Sequence, residues 1–102
     1  MNLARFEEHV RRALDELPPE LARGLGNVAV VVEEVDADDP HLFGLWESHE
    51  LLPDKITIFR RPLVAAFPDP AELEAQIRIT VLHELAHAFG IDEGRLDELG
   101  FG

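Results

Sequence analysis

The stretch from Asp69 to Gly90 constrains the fold more than any other part of the chain. Asp69-Pro70-Ala71-Glu72 is a helix start. Asp69 is placed to cap, Pro70 takes the first helical position, where its missing amide hydrogen is harmless, and Glu72 completes a capping box. Leu73, Ile77, Val81 and Leu85 then recur at helical steps, widened by Ala88 and Phe89, and Gly90 ends the run. This spacing predicts one helix to about Phe89 with an apolar stripe that other elements must cover. The chain has 102 residues, which fits one domain, 1–102, and no second.

A second amphipathic helix is predicted from Asn2, its N-cap, to Leu17. Leu3, Phe6, Val10, Ala13, Leu14 and Leu17 form its apolar face. Pro18-Pro19 stops it. Pro19 can start a short turn through Ala22, which Gly24 and Gly26 end. Val28-Ala29-Val30-Val31-Val32 is β-branched and apolar on both faces, so it reads as a strand buried on both sides and central in its sheet. Leu42-Phe43-Gly44-Leu45-Trp46 reads as a short strand broken by its glycine, and Ser48 to Asp54 as a loop. Lys55 to Arg60 alternates and reads as another strand, with Pro62 suggesting an edge. Arg95 to Leu99 adds a last turn before Gly100. The fold class expected is α+β, a short mixed sheet of three or four strands packed on two long helices.

Charge narrows the partners. Nine Lys+Arg against twenty-one Asp+Glu give a net charge of −12. Such a surface repels phosphates, so neither nucleic acid nor an anionic membrane is an expected partner. With no cysteine there is no disulfide and no thiolate zinc site. Any metal must be held by His, Asp or Glu. No stretch approaches the roughly 20 apolar residues of a membrane span. The charged start, Met1 to Glu8, has no apolar signal core, and a cytoplasmic location is expected.

The long helix carries the chemistry. His83-Glu84-Leu85-Ala86-His87 puts two imidazoles one turn apart on one helix face, where both can meet one cation. Zn²⁺ held by two nitrogens and a carboxylate keeps an open position, where a water becomes far more acidic. Glu84 lies near that water and is the candidate general base. Gly90 follows three residues after His87 and can turn the chain back through positive φ. That turn brings Glu93 toward the metal as third ligand, with Asp92 and Asp97 as the alternatives.

At these residues the sequence resembles a known family. His83-Glu84-x-x-His87-x-x-Gly90-x-x-Glu93 is similar to the extended zinc motif of metzincins and Asp-zincins. The chain as a whole resembles the minimal zincin-like metallopeptidases of bacteria. The likeness includes Leu17-Pro18, Val28 to Val32, Leu42 to Trp46, Leu52 to Pro62 with its Phe59-Arg60-Arg61-Pro62 run, and His83 to Asp92. The resemblance implies one zinc per chain on His83 and His87, Glu84 as catalytic base, and a peptide or unfolded-protein substrate. The family usually has aspartate where this chain has Glu93.

Other zincin features have no counterpart here. The only methionine is Met1, so the methionine turn is missing, and only Gly94 to Gly102 follow Glu93. No tyrosine is present to stabilise an oxyanion. His41, His49, Arg60 and Arg61 are the substitutes available, each with an ordinary surface role as the alternative. His9, among Glu7, Glu8 and Arg11, reads as a solvated-face residue. In zincins an edge strand beside the active helix binds substrate by strand addition, a role Ile56 to Phe59 can fill if they do more than pack on the helix. Asp36-Ala37-Asp38-Asp39 reads as a solvated acidic turn. Two functions of different class follow. One is a zinc peptidase, whose missing cleft floor a second copy in a homo-oligomer could complete. The other is a zinc-binding structural or interaction module with little or no activity.

Overall fold

The computed structural model describes residues 1–98, apart from the side chains of Glu93, Leu96 and Asp97. Helix α1 spans Leu3–Asp15 and is followed by a one-turn helix α2, Pro19–Ala22, and a 3₁₀ turn, Leu25–Asn27. Strands β1 (Val28–Glu33), β2 (Gly44–Glu47) and β3 (Asp54–Phe59) come next. Helices α3 (Arg60–Ala66), α4 (Pro70–Ala88) and α5 (Glu93–Glu98) complete the described chain. This is the α+β arrangement expected. Among the described residues no helix is long and apolar enough to cross a membrane.

Both long helices begin where their capping residues place them. Asn2 Oδ1 accepts from the Arg5 amide at 2.9 Å, and Asp69 Oδ2 accepts from the Glu72 amide at 3.1 Å. Each carboxyl or amide oxygen satisfies a donor that the first helical turn leaves unpaired. The C-terminus of α4 closes at Gly90, the only described residue with positive φ, at 68°. The Ile91 amide donates to the Ala86 carbonyl at 2.8 Å and the Gly90 amide to the His87 carbonyl at 3.2 Å. That pair of bonds is a Schellman motif. It ends the helix one residue after His87, with Phe89 as C-cap, and reverses the chain there.

The core lies between α1, α4 and one face of the sheet. Phe6, Val10 and Ala13 of α1 and Leu21 of α2 meet Leu73, Ile77, Val81 and Leu85 of α4, Leu63 of α3, and Ile56 and Ile58 of β3. Leu82 and Ala86 of α4 are buried as well. The helix is therefore covered on two sides, by α1 and by the sheet.

Sheet order corrects two expectations. The strands run β1-β3-β2, with β1 parallel and β2 antiparallel to β3. The valine strand is thus an edge, not the centre. Its residues alternate: Val28, Val30 and Val32 pack against the core, while Ala29, Val31 and Glu33 are exposed, Val31 at 36%. Branching at Cβ favours a strand whatever its burial, so a valine run marks a strand without fixing its place. The centre is β3, where Ile56, Thr57, Ile58 and Phe59 are all buried. Pro62 does not touch the ladder. It lies in the first turn of α3, where a missing amide hydrogen removes no helical bond. Helix α3 itself was not expected.

A third correction concerns His9. It is buried, and its Nε2 lies 3.1 Å from Glu74 Oε1 of α4. It occupies the same face of α1 as Phe6, Val10 and Ala13, so it joins the two helices and does not face solvent.

Candidate metal centre

His83, Glu84 and His87 stand in the last two turns of α4. The two histidines are exposed and their rings lie side by side, with centroids 6.2 Å apart and planes inclined by 20°. Helical spacing alone produces this, because residues four apart are stacked on one face. Glu84 projects to the neighbouring face and is mostly covered, at 15% exposure. Its Oε2 lies 3.7 Å from His87 Nδ1, too long for a hydrogen bond.

Gly44, the first residue of β2, sets the position of Glu84. A Cβ at Gly44 would stand 2.9 Å from Glu84 Cγ and 3.0 Å from Thr80 Cγ2. The strand approaches α4 closely only because no side chain intervenes. Thr80 is held in turn by donating from Oγ1 to the Gln76 carbonyl at 2.7 Å. Glu84 is thus fixed between the helix and the start of an edge strand. Gly24 makes a second close approach. A Cβ there would come within 2.6 Å of the Phe89 ring, which seats the end of α4 against the turn before β1.

The third ligand stays open. The side chains of Glu93 and Asp97 lie outside the described residues. Asp92 is exposed, and its Oδ1 accepts from the Arg95 amide at 2.8 Å, so it caps α5. Helix α5 is tied down by Arg95, whose Nη2 bonds the Glu20 carboxylate of α2 at 2.7 and 2.9 Å and whose Nη1 bonds Glu98 at 2.9 Å. Among the described residues, no group of three His, Asp or Glu side chains is arranged to hold a metal ion. The donor chemistry nevertheless suits zinc. Two exposed imidazoles one turn apart offer nitrogen donors of the softness Zn²⁺ prefers.

Both His83 and Glu84 line a cleft of about 440 Å³ between α4 and the loop that leads into β2. His41, Phe43, Gly44 and Thr80 contribute to its walls. The outer edge of β2 is unpaired among the described residues, whereas β3 is paired on both sides. The strand beside α4 that begins at the cleft and has a free edge is therefore β2, whereas Ile56 to Phe59 lie in the central strand and have no free edge for strand addition.

The candidate oxyanion residues separate clearly. Arg60 is structural: its Nε and Nη2 lie 2.6 and 2.7 Å from the Glu34 carboxylate and its Nη1 3.0 Å from the Met1 carbonyl. These bonds hold the Glu34 carboxyl below its usual range, with added attraction from the charges of Arg60 and Arg61. His41 lies in the cleft with His83 and Glu84. His49 is exposed in the β2–β3 loop, and Arg61 lines a neighbouring cleft. The acidic turn is self-bonded: Asp36 Oδ2 accepts from the amides of Asp38 and Asp39, and Asp39 Oδ1 from that of His41. The sequence motif does not include Gly44; its available signal is a glycine inside an apolar strand, which marks close backbone approach.

The sequence model of the zincin-like metallopeptidase family matches residues 25–102. No curated protein matches the chain. The match spans most of the molecule, from the turn before β1 through α5 and beyond, and the chain belongs to the zincin-like metallopeptidase family.

Proposed function

We propose that this protein is a zinc-dependent peptidase that holds one zinc on His83, His87 and Glu93 and uses Glu84 as general base. The observation that carries the reading is the placement of Glu84. Its carboxylate is tucked beneath Gly44 and beside His87, in a cleft bordered by the free edge of β2. A purely structural zinc site needs no such carboxylate next to its ligands.

When bound, zinc supplies an acidified water and an electrophile for the peptide carbonyl. The protein's own residues do the rest. His83 and His87 anchor the ion from one helix face. Glu84 accepts the water's proton on a carboxylate oxygen and passes it to the departing amide nitrogen. The edge of β2 aligns an extended substrate by main-chain hydrogen bonds, which fix its direction without reading its side chains. Strand addition of this kind selects short or unfolded peptides, because a folded chain has no free strand to offer.

Metal analysis of the purified protein and a peptide-library digest test the reading. Glu84→Gln keeps the shape of the side chain and removes the base. Zinc content should be unchanged and turnover should fall by about 10²–10⁴-fold. Equal cleavage by wild type and variant would assign the activity elsewhere. No cleavage by either, with zinc bound, would leave a non-catalytic zinc module.

A further inference from the structure

Two clefts meet at the loop before β2. His41 and Phe43 line both the cleft of His83 and Glu84 and a second one, of about 470 Å³, on their other side. Each falls within the range of about 300–1,000 Å³ common for ligand sites. The second cleft is walled by Pro40, Pro62, Ala65 and Ala66 and carries one cation with a permanent charge, Arg61.

Arg61 is available to a ligand. Glu34 feels its charge, but both Glu34 oxygens are engaged by Arg60. Among the described residues the acids form ion pairs with His9, Arg12, Arg60, Arg78, His87 and Arg95, and no carboxylate pairs with Arg61. A guanidinium fork matches a carboxylate in a way an ammonium does not. The apolar walls around it reduce competition from water and strengthen such a pair. On a molecule of net charge −12, anions are repelled by most of the surface, and Arg61 offers a local exception beside the cleft of His83 and Glu84.

The topology gives the direction of approach. A peptide adding to the outer edge of β2 pairs more stably when antiparallel. Its carboxyl-terminal end then points toward the start of β2. From Gly44 the path continues past Phe43 and His41 into the second cleft, where Arg61 waits.

We propose that Arg61 binds the terminal carboxylate of a short peptide lying antiparallel to β2, so that the substrates are short peptides cut near their carboxyl ends. This rests on the peptidase reading above and adds the substrate class to it.

The test is binding to zinc-loaded Glu84→Gln, which does not consume its ligand. Two otherwise identical short peptides, one ending in a free acid and one in an amide, are compared by calorimetry. Amidation should weaken binding about tenfold, the scale of one charge-assisted contact at a partly open site. Adding Arg61→Gln should make the two peptides bind alike, and Arg61→Lys should restore part of the difference. Arg11→Gln, on the exposed face of α1, should leave the tenfold ratio intact. Equal affinity for acid and amide with Arg61 present overturns the proposal. So does a ratio that survives Arg61→Gln, or a glutamate side chain at the last position that replaces the terminal acid in an amidated peptide. The two readings fail separately. Cleavage of acid and amide at equal affinity leaves the peptidase and removes the carboxylate site. A preserved tenfold ratio with no cleavage by the wild type does the reverse.

Discussion

Gly44→Ala tests how Glu84 is positioned. The new Cβ would stand 2.9 Å from Glu84 Cγ and 3.0 Å from Thr80 Cγ2. Neither atom can retreat cheaply. Cγ lies in the middle of a mostly covered side chain, and Thr80 is buried, branched and bonded to the Gln76 carbonyl. Overpacking of this kind costs about 1–3 kcal/mol. Alanine returns about 0.4–1 kcal/mol by restricting the unfolded chain. The net expectation is a loss of about 1 kcal/mol, or about 4–8 °C in Tm for a domain of this size. The effect on catalysis should be larger than the effect on stability. With Glu84 as the proposed base, its displacement by about 1 Å should cost about 10²-fold in rate.

Thr80→Ser supplies the control. It removes Cγ2, one of the two atoms in conflict, and keeps the hydroxyl that bonds Gln76. Alone it should cost about 0.8 kcal/mol for the lost methyl. Combined with Gly44→Ala it should cost less than the sum of the single changes, with a coupling of at least about 0.5 kcal/mol. Urea unfolding of the four proteins measures the cycle, and peptide hydrolysis measures the rate. Additive stabilities, or a Gly44→Ala variant with wild-type stability and rate, would refute the close approach as the device that places Glu84.

Three further outcomes follow from the same structure. His9→Ala should destabilise by about 1–3 kcal/mol, since it removes a buried ring and its contact with Glu74, whereas Glu74→Gln, on a half-exposed partner, should cost under about 0.5 kcal/mol; equal costs in denaturant unfolding would deny that burial dominates. Glu34 has a folded-state pKa below its ordinary 4.5, so its pairing with Arg60 stabilises above that value and is lost as pH falls through the lower folded value; Tm in acid should therefore drop more steeply for wild type than for Glu34→Gln, and parallel curves would deny the linkage. Glu93→Ala should weaken zinc binding far more than Asp97→Ala in competition with a chelator, and the opposite order would reassign the third ligand.

What was legible in the sequence was what depends on neighbours along the chain. The caps at Asn2 and Asp69, the reversal at Gly90, and the histidine pair all follow from spacing within a turn or two of helix. The His83–Glu84–His87 geometry needed only the pitch of α4 to become visible. Helix α3 was missed because Arg60 to Ala66 is too short to show a period and opens with two arginines and a proline. For His9, position reports burial where polarity does not. It sits three residues after Phe6 and four before Ala13, on the buried stripe.

Strand order was illegible for a different reason, and the consequence reaches the function. Whether a strand is central depends on which other strands pair with it, and no local pattern reports that. The valine run and the Lys55–Phe59 run each satisfy a strand's demands. Their places are decided by α4, which must bury Ile77, Val81 and Leu85 against Ile56 and Ile58. Once β3 is drawn under the helix, β1 and β2 become the two edges. Only β2 begins against Thr80 and Glu84, through a residue with no side chain. The free edge of β2, proposed to receive a peptide, and the Glu84 carboxylate, proposed to activate water, are therefore brought together by one glycine. A side chain at position 44 would hold them apart even with every residue of the histidine motif intact.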